Sequence, residues 1–116
     1  MVNQSLLLEE ILNQYVRHGW RLKGVLMTAH TRAEIQNQHR AATFEGVPVK
    51  ESSFDALWFS RPSHSGRVAW ELRLVAETPY ALLETFEQDE TEEYCQDIMD
   101  DMEARLCFFH TTGNVT

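Results

Sequence analysis

The chain has 116 residues, with 10 Lys or Arg against 18 Asp or Glu and a formal net charge of −8; the length suits one domain that buries roughly two thirds of its unfolded surface. Two cysteines are too few for a disulfide framework, and no apolar run nears the roughly 20 residues that a membrane-crossing helix requires. Leu6, Leu7 and Leu8 follow no basic segment and run directly into Glu9 and Glu10, which reads against a signal peptide, so the expectation is a cytoplasmic, soluble single domain over residues 1–116.

Ser5 suits the N-cap of a first helix with Glu9 and Glu10 near its positive end. Leu8, Ile11, Leu12 and Tyr15 recur at helical spacing, Leu7 and Val16 widen the stripe, and His18 with Gly19 supplies a C-terminal stop. Residues 20–27 then read as a strand in which Gly24 marks a bulge.

Residues 28–53 carry the weakest pattern. Thr31 and Glu34 are spaced as a capping box for a short helix reaching Ala42, and Val47, Pro48 and Val49 read as an edge strand.

Residues 54–86 organise the fold as three antiparallel strands. The stretch Pro62, Ser63, His64, Ser65, Gly66 reads as a hairpin loop. If Arg61 and Arg67 close it, Trp58 faces Trp70, Ala56 faces Leu72 and Phe54 faces Leu74 on one apolar side, while Asp55 faces Arg73 on the other. A second loop at residues 77–80, closed by Ala76 and Ala81, places Leu74 opposite Leu83 and completes a charge row of Asp55, Arg73 and Glu84.

Asp89 and Glu92 form a capping box for the last helix, in which Cys95, Ile98, Met99, Met102, Leu106 and Phe109 fall within an arc of roughly 100°. Cys95 and Cys107 lie about 18 Å apart along it, beyond the roughly 7 Å reach of a disulfide.

These elements specify an α+β fold: a two-layer arrangement of an antiparallel sheet of about four strands with the N- and C-terminal helices packed on one face. The other face then holds Leu57, Phe59, Val75, Leu82 and Phe86 among charged residues. Such a half-apolar surface reads as an interface, either for a homodimer or for another protein.

Charge is unevenly spread. Residues 1–76 hold nine Lys or Arg against seven acids, whereas residues 77–116 hold Arg105 against eleven acids, a distribution that suits solubility or a basic partner and not nucleic acid. Arg61, His64 and Arg67 at the hairpin mouth are the candidates for an anion or polar ligand.

The five histidines match no metal-ligand spacing, and no nucleophile elbow, phosphate loop or dinucleotide fingerprint occurs. No catalytic residue, metal or cofactor is therefore expected. The leading reading is an acidic protein-binding or adaptor-type protein without catalysis. The alternative is a small-molecule-binding or enzymatic domain whose pocket is lined by Trp58, Trp70 and the sheet carboxylates.

Overall fold

A computed structural model describes residues 3–38 and 44–112. Helix α1 spans Gln4–Arg17, strand β1 Arg21–Met27, helix α2 Ala29–Asn37, strand β2 Val49–Glu51, strand β3 Ala56–Pro62, strand β4 Val68–Leu74, strand β5 Ala81–Phe86 and helix α3 Glu92–Thr112. The sheet order is β2-β1-β3-β4-β5; β1, β3, β4 and β5 are the four antiparallel strands expected, and short β2 adds a parallel pair with β1. The fold is α+β.

The helices do not share one face. Leu8, Ile11 and Leu12 of α1 and Ile35 of α2 bury Val25, Met27, Leu57, Phe59 and Val75, whereas Met102 and Leu106 of α3 bury Leu26, Ala56, Trp58, Leu72 and Leu74. The expected two layers are therefore three, with the sheet in the middle. The reason is in the strands themselves. In β1 and β3 the odd-numbered Val25, Met27, Leu57 and Phe59 are as apolar as the even-numbered Leu26, Ala56 and Trp58, so each side requires its own cover.

Even-numbered residues of β3 and β4 do share a side, but the register differs from that expected. Trp58 lies opposite Leu72, Ala56 opposite Leu74, and Leu57 opposite Arg73. The hairpin is tighter than a loop closed by Arg61 and Arg67: Ser63 N–H donates to Arg67 O at 2.8 Å, with only His64, Ser65 and Gly66 between them. Ser65 (φ 58°) and Gly66 (φ 76°) both take left-handed conformations, which lets the chain reverse in so few residues. A two-residue offset leaves side-chain facing intact.

The β4–β5 register differs by an odd number and so inverts β5. Val75 N–H donates to Asp55 O, keeping Val75 on β3, and Leu74 N–H donates to Tyr80 O. Tyr80 stacks on Phe109 with ring centroids 3.7 Å apart, which draws the chain toward α3. Leu82 consequently lies opposite Leu72 on the α3 side, while Leu83 faces away from α3 and is 60% exposed.

The caps are also redistributed. Asn3, not Ser5, caps α1 and accepts from Ser5 N–H and Leu6 N–H; Thr28 caps α2 and accepts from Thr31 N–H; and Thr91 accepts from Tyr94 N–H at the start of α3. His18 and Gly19 (φ 88°) end α1 as the sequence implies, and the register of β1 shifts between Leu22 and Gly24, the expected bulge. The predicted extension of α2 over residues 39–42 lies outside the described residues.

Candidate functional site

Leu57 and Phe59 are 0% exposed, and Val75 and Phe86 are also buried, within a single chain. Leu57, Phe59 and Val75 lie under α1 and α2, and partly buried Leu82 packs toward α3. The open half-apolar face expected of these five residues is thus absent: two helices cover it, and β5 is turned over. Nor do the tryptophans line a pocket with the sheet carboxylates. Trp58 and Trp70 meet edge to face at 6.1 Å, and the Trp58 indole N–H donates to Glu103 at 2.9 Å. Glu71 bonds to α1 and Asp55 to α1 and α2, on the far side of the sheet.

The charge row does not form either. Asp55, 6% exposed, accepts from Thr28 N–H at 2.8 Å, from the Thr31 hydroxyl at 2.7 Å and from the Gln4 amide at 3.0 Å. The same Gln4 nitrogen donates to Val75 O. One carboxylate thereby ties the starts of α1 and α2 to β3. With three donors already placed on it, Asp55 is committed to structure. Next to it opens a cleft of about 580 Å³, with Ser53, Glu77 and His110 among its walls.

A second polar contact on this side joins the Tyr15 hydroxyl to Glu71, beneath a Tyr15–Phe59 stack with centroids 4.2 Å apart. Burial, reinforced by the Glu71 hydrogen bond, pushes the Tyr15 phenol well above its ordinary range, so it remains a neutral donor. On α3, burial and then the charges of Glu90 and Glu92 raise Cys95, which keeps it a thiol.

Arg61, His64 and Arg67 do not converge. Arg67 pairs with Glu87 at 2.8 Å, His64 sits exposed on the turn, and Arg61 donates to His18 O while lying 5.1 Å over the Trp20 ring. Among the described residues no group of three or more His, Cys, Asp or Glu is placed to hold a metal ion, and no helix is long and apolar enough to cross a membrane.

The feature left open is an edge of the sheet. In an antiparallel ladder, alternate residues of an edge strand direct both N–H and C=O outward. The Leu74–Tyr80 bond fixes the even-numbered residues of β5 as those bonded to β4, so Ala81, Leu83 and Thr85 face out. Thr85 N–H confirms the parity, because it donates to the Glu84 carboxylate at 3.2 Å and not to β4.

The side chains of Ala81, Leu83 and Thr85 are all exposed. The opposite edge is guarded in ways β5 is not: β2 has three residues, follows Pro48, and is tied to α3 by Lys50 and Glu103 at 2.8 Å. β5 has six residues, no Pro, no Lys and an uninterrupted register. The sequence did hold a signal for this, since adjacent Leu82 and Leu83 in one strand cannot both face the same layer. No protein-family model, curated protein or solved structure matches the chain.

Proposed function

We propose that the protein is a non-enzymatic binding module that accepts an extended, basic segment of a partner protein as an added strand along β5. The observation that carries this reading is the outward-facing backbone of Ala81, Leu83 and Thr85, with Leu83 exposed beside it. Strand addition gives the outward groups of Ala81 and Leu83 ladder partners, takes over the Thr85 N–H that Glu84 now accepts, and covers Leu83. Partner side chains would alternate: those beside Leu83 are apolar, and those on the α3 side, where Glu84 projects, are Lys or Arg.

The eleven acids of residues 77–116 favour such a segment over a second copy of the chain. A second copy carries the same −8, and antiparallel β5–β5 pairing would set two acidic α3 helices on the same side of the joint. Homodimerisation is therefore the rival outcome of the test. A catalytic reading has less support, because the buried carboxylate of Asp55 is already bound by three structural donors.

Amide hydrogen exchange tests the proposal residue by residue. In the free protein, Leu83 and Thr85 should exchange fast and Leu82 and Glu84 slowly. A peptide alternating Val and Lys should slow Leu83 and Thr85, and the same peptide with Glu for Lys should not. Leu83→Pro should abolish the protection at Thr85 with little loss of stability, because that N–H makes no ladder bond. Protection without peptide that rises together with a dimer in light scattering would replace the basic partner by a second copy. No protection by any peptide at millimolar concentration, in a protein that stays monomeric, would sink the idea.

A further inference from the structure

The open edge of β5 is not wholly bare. Of its outward-facing residues Ala81, Leu83 and Thr85, the last has an acceptor within the chain: Glu84 turns its carboxylate back along the strand and takes the Thr85 N–H at 3.2 Å. Glu84 is well placed for this, because its own backbone is bonded to β4 opposite Trp70 while its side chain stands on the α3 side, one residue from the outward amide. The half-buried carboxylate has no ion-pair partner among the described residues. Its bond to Thr85 lies across the position that an added strand needs.

The exchange of partners at this amide differs with the chemistry of the incoming strand. A neutral strand replaces the Glu84 carboxylate by a backbone carbonyl, one acceptor for another, and leaves the carboxylate beside it without a donor. A strand carrying Lys or Arg opposite Glu84 supplies that donor as well, since directly opposed side chains on one face stand about 5 Å apart at Cβ. The first exchange strands an acid, and the second pairs it.

We propose that Glu84 is a removable plug on the β5 edge, which holds the site shut against neutral strands and is drawn off Thr85 by a Lys or Arg of the partner. This rests on the strand-addition reading above and supplies its selectivity. It also gives β5 a guard of its own, where the opposite edge relies on its short length, Pro48 and the Lys50–Glu103 pair.

Two substitutions separate the plug from the charge. Glu84→Gln keeps an acceptor for the Thr85 N–H without the charge, whereas Glu84→Ala removes both. Each protein is titrated with a peptide alternating Val and Lys and with one alternating Val and Thr, and the Thr85 amide is followed by heteronuclear NMR. The Val-Thr peptide should bind Glu84→Ala about fivefold more tightly than it binds the original protein or Glu84→Gln. The preference for Val-Lys over Val-Thr should shrink by about fivefold or more in Glu84→Ala. In the free proteins the Thr85 amide should exchange faster in Glu84→Ala than in the original, with the β4-bonded amide of Leu82 equally slow in both. The proposal is overturned if Val-Thr binds all three proteins equally while the original still prefers Val-Lys, or if Glu84→Gln and Glu84→Ala gain equally, since the acid then acts by charge alone. Binding of neither peptide to any of the three proteins would remove the strand-addition reading itself, and the plug with it.

Discussion

The two faces of the sheet are covered by different chemistry. On the α1 and α2 side the helices are fixed by polar groups at set positions: Gln4, Thr28 and Thr31 on Asp55, and Tyr15 on Glu71. On the α3 side Met102 and Leu106 sit on Trp58, Leu72 and Leu74, with Met99 and Cys107 around them, and the polar tie is Glu103 with Trp58 and Lys50. Apolar packing sets how strongly a helix is held, whereas directional hydrogen bonds set where it is held. The first face should therefore tolerate isosteric change poorly, and the second should absorb it.

The largest expected effect comes from breaking the polar side. Asp55→Asn, isosteric with the native side chain, turns an amide donor toward the groups that Asp55 accepts from and should cost about 2–4 kcal/mol, read as a lower urea midpoint at unchanged slope. Met102→Leu on the other face, a volume-conserving change, is the matched control and should cost less than about 1.5 kcal/mol. Equal losses in the two variants would dissolve the contrast.

A smaller effect sharpens it through pH. The Tyr15 phenol is neutral in the fold and its proton is held more tightly than the value of about 10 in an unfolded chain. The stability it supplies is complete below about pH 10 and is lost as pH rises above that. Melting temperature should thus fall more steeply above pH 10 in the original protein than in Tyr15→Phe. Parallel curves would show that the Tyr15–Glu71 contact does not couple to folding.

What the sequence made legible follows the same division. The inward stripe of α1, the inward stripe of α3 and the shared side of Trp58 and Trp70 were all readable, because periods of 3.6 and 2 survive a register error of two residues. The placement of β5 was not. Its inversion depends on where Val75 and Tyr80 bond, and loop length alone does not reveal that. Nor was Asp55 legible as the tie between helices, since its donors lie 24 to 51 residues away along the chain.

The face around Leu57 and Phe59 reads from the sequence as an interface, whereas α1 and α2 of the same chain cover it. The exposed edge is hidden from the sequence because a four-residue loop at 77–80 sets Leu83 opposite Leu74 on the inner side, whereas Leu83 lies opposite Glu71 and is exposed.

The three-residue turn between Ser63 and Arg67 has a consequence for how the molecule assembles. It joins β3 and β4 at the smallest closure entropy in the sheet, whereas β1 must find β3 across the 28 residues of chain between Met27 and Ala56. Assembly should thus begin at the middle strands and spread outward, with β1 and β2 arriving last. Pulse-labelling during refolding would reveal amides of β3 and β4 protected ahead of those of β1, and the opposite sequence of events would show that α1 nucleates the fold instead.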